Sequence, residues 1–291
     1  MKKLVQALAL FVLTSNTAFA NTADQSFEAV MGAAWAAQLK QYPTFATSLG
    51  VRDYDELLSD PSLEAYEATT LLQQQFLDQL QEIDVSALSK DNQLNHELLK
   101  LLLESEVEAA KHGGKYMLMT NRGGPHLSLT SMVGRLPFFK LADYQSYVTR
   151  LGKMSEYLDR ATSRLQAGLD AGWNQPCEPM QGFEKSIEVH VVENAEDSRF
   201  IAPFKNRPSV VAEKDFAKLQ KKALSTIEES VVPAFAKFHD FYMNKVKPAC
   251  RTEVGTNSMP GGDEYYAHRV KLYTTTDQTP DEILGVDVFF G

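Results

Sequence analysis

Apolar residues recur along most of this chain at spacings of three and four, the period of a helix packed on one face. Phe27, Val30, Met31, Ala34, Trp35 and Leu39 mark a first helix. Tyr42 before Pro43 closes it, because a residue preceding proline is pushed out of helical geometry. A short helix over Thr44–Leu49 ends at Gly50, and a longer one runs from Ser62 through Leu72, Phe76, Leu80 and Ile83. Leu94, Leu98, Leu101, Leu102 and Val107 make the next, terminated by Gly113-Gly114. The stretch 115–140 has no sustained period and reads as irregular. Tyr144, Val148, Leu151, Met154, Leu158, Leu165 and Leu169 then predict one long helix stopped by Gly172. After a loop with Trp173, Pro176 and Pro179 comes a shorter piece around Phe183, Ile187 and Val191. The last long helix carries Phe216, Leu219, Leu224, Ile227 and Val231; Pro233 kinks it, and Phe235, Phe238, Phe241 and Val246 continue the stripe. Strand-like alternation is almost absent, with Tyr116 to Met119 the best case. The pattern predicts an all-α protein of long antiparallel helices.

Both ends stand apart from this pattern. Lys2 and Lys3, the apolar run Leu4 to Leu13 and the small-x-small triplet Ala18-Phe19-Ala20 form a signal peptide over residues 1–20, cleaved after Ala20. The apolar run is too short to span a bilayer, and no Cys comes after the cleavage site to take a lipid. Export to a periplasm or beyond is expected. At the other end, Thr279-Pro280-Asp281-Glu282 is a helix start with N-cap, Pro at the first position and an acid three residues on. The closing residues, Leu284 to Gly291, have no helical period. The expectation is a helical domain over 21–283, an aberrant tail over 284–291, and a chain that is the front part of something longer.

The 291 residues carry a formal charge of −9, and the basic start contributes only lysines, so the remainder is more acidic still. That balance argues against nucleic acid and against anionic membrane surface, both of which reward basic patches. No linker, low-complexity stretch or repeat divides the chain, which favours one domain. Cys177 and Cys250 are the two cysteines. An isolated pair in an oxidising compartment usually bridges; a free thiol or half of a metal site are the other readings.

No complete catalytic set emerges. His96-Glu97 begins a zinc-helix motif, but Lys100 stands where its second histidine belongs, leaving a solvated helix face as the plain reading. His190 and Glu193 could share a face, yet two groups do not make a tetrahedral site. His112 and His126, flanked by glycines, read as loop histidines, and His239-Asp240 as packing on an aromatic helix. Glu264 and His268 lie four apart in a helix over Asp263–Leu272, suiting either acid/base chemistry or an ordinary surface pair. No nucleophile elbow, P-loop or dinucleotide fingerprint is present.

Several segments together resemble one family. They are Tyr42-Pro43-Thr44-Phe45-Ala46-Thr47-Ser48-Leu49-Gly50; Gly172-Trp173 with Gln175-Pro176-Cys177, Pro179-Met180 and Phe183; Pro248-Ala249-Cys250-Arg251; and Met259-Pro260-Gly261-Gly262, then Tyr265-Tyr266, Thr274-Thr275-Thr276 and Thr279-Pro280-Asp281-Glu282. They resemble the bacterial exported proteins of the domain of unknown function 885. The resemblance implies a mostly helical, zinc-dependent peptidase whose H-E-x-x-x-G-H-type metal helix lies well downstream of the triple threonine. Here Leu284 or a gap stands where the family has His, and the match stops. The resemblance therefore transfers no catalytic residue and no zinc ligand, and zinc is expected only in a longer member. It supports the Cys177–Cys250 disulfide and places Gly261, Gly262, Tyr265 and Tyr266 at a substrate cleft for peptides, where Glu264 and His268 join them on their helix spacing. Core packing is the alternative for both tyrosines. A second function class is a stand-alone periplasmic binding module for peptides or small molecules; neither the substrate nor the oligomeric state is legible.

Overall fold

The computed structural model describes residues 2–286; Met1 and residues 287–291, most of the 284–291 tail, lie outside the described residues. Helices are α1 Lys2–Gln41, α2 Pro43–Ser48, α3 Leu63–Gln81, α4 Lys90–Lys111, α5 Pro125–Met132 and α6 Leu141–Gly152. They continue as α7 Met154–Asp170, α8 Lys185–Glu188, α9 Glu213–Thr226, α10 Val232–Phe241, α11 Gly262–Thr274 and α12 Pro280–Val286. Short 3-10 turns fill several connections, and no strand forms among the described residues. The all-α reading holds. Tyr116 belongs to a 3-10 turn over Gly113–Tyr116, so even the best case of strand-like alternation, Tyr116 to Met119, forms no strand. No described helix is long and apolar enough to cross a membrane.

The chain gathers into two compact units, one of residues up to Gln38 with Glu67–Lys111, the other of Leu39–Tyr66 with the chain from His112 onward. In the first, Phe27, Phe76, Leu77, Leu80, Leu88 and Leu103 form the core. Asp24 accepts from the Ser89 amide at 3.0 Å and from Asn92 Nδ2 at 2.9 Å, so an α1 carboxylate caps the start of α4. His96 is not on a solvated face. It is buried, its Nε2 lies 3.0 Å from the Leu80 carbonyl, and its ring packs on Phe27. A carbonyl left over at the end of α3 is the partner a surface reading could not foresee.

In the second unit α6, α7, α9 and α10 surround an aromatic core that includes Tyr144, Tyr147, Phe200, Phe204, Phe235 and Phe238. The helix expected across 144–169 breaks at Lys153, where α6 ends and α7 begins. The irregular stretch contains helix α5, with Pro125 at its first turn, a position where the missing N–H costs nothing. Just before Pro233 the helix widens to a π turn at Ile227–Val231, the stretch whose carbonyl the proline leaves without a donor, and a second π turn follows at Tyr242–Val246. At the last helix the capping box forms as the sequence implies. Thr279 N donates to Glu282 Oε2 at 2.7 Å and Glu282 N to Thr279 Oγ1 at 3.3 Å. Helix α12 runs through Gly285 to Val286, so the tail's first residues are helical rather than aperiodic.

Candidate functional site

Four segments singled out by sequence converge in the second unit. Gly113 closes on the indole of Trp173: a Cβ there would sit 1.7 Å from Trp173 Cε2, so only glycine fits. Trp173 is buried and meets Tyr265 edge to face, with ring centroids 5.3 Å apart. Tyr265 in turn lies over Gly114, where a Cβ would come within 2.7 Å of its Cε2. The Met259-Pro260-Gly261-Gly262 turn delivers Tyr265 to this place. Gly261 adopts φ +68°, and a Cβ on Gly262 would collide with the Thr256 carbonyl at 1.7 Å. This joint of glycines and aromatics fixes the start of α11.

The rest of α11 looks outward. Tyr266 is 49% exposed, Glu264 is exposed and His268 half-buried. The rings of His268 and His112 stand 5.5 Å apart, inclined 30°. Sequence placed these histidines in separate readings; the fold brings them side by side, which the helix spacing alone did not signal. Of the six cleft candidates, Gly261, Gly262 and Tyr265 build the joint, while Tyr266, Glu264 and His268 line the helix beyond it. Core packing describes Tyr265 and not Tyr266.

The second motif cluster is a clamp. Cys177 and Cys250 are disulfide-bonded with Cα atoms 5.0 Å apart. Around the bridge the Cys177 amide donates to the Arg251 carbonyl at 2.8 Å and the Arg251 amide to the Gln175 carbonyl at 3.1 Å. The Arg251 guanidinium reaches the carbonyls of Asn174 at 3.2 Å and Gly255 at 2.6 Å, holding the approach to the glycine turn. Beside the disulfide lies a hollow of about 240 Å³ walled by Gln175, Met180, Gln181, Tyr242, Val246 and Lys247. At its rim Lys247 pairs with Glu184 at 3.1 Å. Burial, and secondarily Glu184, pushes the Tyr242 phenol up to about 12, so it remains protonated there.

Besides His96, two buried groups of the second unit escaped sequence reasoning. Arg150 is 1% exposed on α6, its Nε donating to the Leu57 carbonyl at 2.9 Å and its Nη2 to Thr47 Oγ1 at 2.8 Å, Tyr54 O at 3.1 Å and Pro43 O at 3.2 Å. Thr47 passes the contact to Asp55 at 2.7 Å, Asp55 pairs with Arg52, and Arg52 pairs with Asp143 on α6. Burial brings Arg150 down to about 10, which leaves it charged at neutral pH. The network ties the Tyr42–Gly50 motif to the core. His126 is the other: fully buried on α5, packed against Phe183 and Phe238, and not a loop histidine. His190 is buried between Phe200 and Phe235, beyond the end of α8, so it shares no helix face with exposed Glu193.

His112 and His268 approach each other, but among the described residues no three His, Cys, Asp or Glu side chains are grouped to hold a metal.

The fold is shared with a crystal structure of a protein from Colwellia psychrerythraea described as a candidate lipoprotein: TM-score 0.73 at 15% identity, covering 92% of this chain and 47% of that one. The chain thus spans about half the length of that structure. No curated protein matches it in sequence. A profile described as bacterial protein of unknown function (DUF885) matches residues 43–286, the span that holds the Arg150 network, the disulfide clamp and the glycine–aromatic joint, and the chain belongs to that family.

Proposed function

We propose that this chain is the helical scaffold of an exported, peptidase-like protein and contributes a substrate-facing wall rather than a hydrolytic centre. One observation carries the reading: Tyr265 is locked between Trp173 and Gly114, and this mounts α11 so that Tyr266 and Glu264 project from a fixed base, with half-buried His268 one turn after Glu264. Such a wall suits an extended peptide. An exposed phenol offers apolar area at low entropic cost, and Glu264, two residues before it and round the helix from it, offers a carboxylate for a peptide's amino terminus or basic side chain. The basic and apolar start of the chain, with Ala18-Phe19-Ala20, supports export, and the family resemblance supports the peptidase class.

The test is binding of short peptides by calorimetry. Tyr266→Ala or Glu264→Gln should weaken the affinity about tenfold without lowering the melting temperature, as expected for losing one well-placed contact. Absence of binding, or indifference to both substitutions, overturns the reading. The hollow beside the disulfide favours a second reading, a binding module for a small molecule. A compound panel that stabilises the chain through that hollow, with peptides inert, would select it.

A further inference from the structure

Helix α4 is apolar on two opposite faces. One sends Leu103, with Leu99 and His96, into the core of its own unit. The other bears Leu94, Leu98, Leu101 and Leu102, which are 58%, 51%, 52% and 63% exposed. At 3.6 residues per turn these four fall within about 100° of arc, roughly opposite Leu103. One exposed leucine is ordinary; four contiguous on one helix are an interaction surface. Asp91 and Ser105 continue the same face at either end and close it with polar groups.

The flanking charges say what covers it. Lys90 and Glu108 sit on the same edge of the stripe, five turns apart, and their midpoint coincides with the middle of the leucines. Glu108 also pairs with Lys111 of its own chain at 2.6 Å, an exposed contact one turn on. A second α4 laid antiparallel across the stripe would set Lys90 against Glu108 of the other copy, twice by symmetry. A parallel two-fold arrangement would carry Lys90 and Glu108 of the two copies to opposite edges of the seam and pair neither. An isologous two-fold contact is the ordinary way such a self-complementary patch closes.

We propose that α4 is the seam of an antiparallel homodimer, with Leu94, Leu98, Leu101 and Leu102 as its dry centre. Analytical ultracentrifugation of the mature chain tests it. The expected species is a dimer that Leu98→Glu with Leu101→Glu converts to monomer while the circular dichroism and melting curve of the chain are retained. Lys90→Glu should weaken the dimer about tenfold, and adding Glu108→Lys should restore it, since the swapped charges again face each other. The charge variants keep the test open if the leucine variant misfolds. A wild-type chain that is monomeric at its highest soluble concentration, as expected if a different polypeptide covers the stripe, overturns the proposal. So does an oligomer that ignores these substitutions.

Discussion

The Nε2 of His126 lies 2.9 Å from the Ser186 hydroxyl, and that hydroxyl donates its own proton to the Phe183 carbonyl at 2.6 Å. Nε2 must therefore carry the hydrogen, which leaves Nδ1 as a bare acceptor. Nothing among the described residues donates to it. The pair is a structural peg for α5, since a serine whose proton is committed to a carbonyl is no activated nucleophile.

That peg makes stability depend on pH. Burial, reinforced by nearby His190, brings His126 down to about 4 in the fold, against 6.5 for an exposed imidazole. The unfolded chain binds the proton more readily. Stability is therefore level above pH 6.5, falls as pH drops towards 4, and is flat again below. The expected loss from this residue is about 3 kcal/mol. Urea midpoints at pH 7.5 and 4.5 should differ less in His126→Gln than in wild type; equal differences would contradict the assignment.

Arg150 gathers acceptors supplied by the chain from Pro43 to Leu57. Arg150→Met removes the charge and strands several buried oxygens, for an expected loss of about 3 kcal/mol. Arg150→Lys should recover little, because one ammonium cannot span the four acceptors. Chemical denaturation measures both.

Breaking the disulfide frees a loop closed across 73 residues of separation. Cys177→Ser with Cys250→Ser should cost about 4 kcal/mol on the chain-entropy view, lowering the melting temperature by about 10 °C. Calorimetry with and without reductant should give the same drop for the wild-type chain.

Glycines separate the joint from the rest. Gly113→Ala forces a methyl into the Trp173 indole and should destabilise by about 2 kcal/mol, with a red shift in Trp173 emission as the ring is displaced. Gly32→Ala, with nothing within 4 Å in α1, should instead stabilise by up to about 1 kcal/mol. Denaturant midpoints of the two variants check the sign.

Much of this architecture was legible in local signals. The helix over α4, the stop at Gly50 with φ +86° and the capping box at Thr279 and Glu282 each depend on nearby residues, while the Cys177–Cys250 bridge was one of three cysteine readings that the family resemblance favoured. What was hidden depends on distant partners. His96 and His126 looked like surface histidines because flanking polarity says nothing of a carbonyl on another helix or a serine 60 residues away. The break at Lys153 leaves the apolar period intact on both sides, so periodicity reads through it. Arg150 is typical of a surface charge until the chain 103 residues earlier folds back to supply Thr47. The joint was half visible: the glycine turn and tyrosines carried it, but Gly113 and Trp173 gave no sign of touching.

The most direct test of the scaffold reading is turnover of a fluorogenic peptide library by the purified chain supplied with zinc, with bound metal counted in the same sample by mass spectrometry. The expected result is no hydrolysis above background and far less than one zinc per chain. Stoichiometric zinc accompanied by turnover that a chelator abolishes would contradict it.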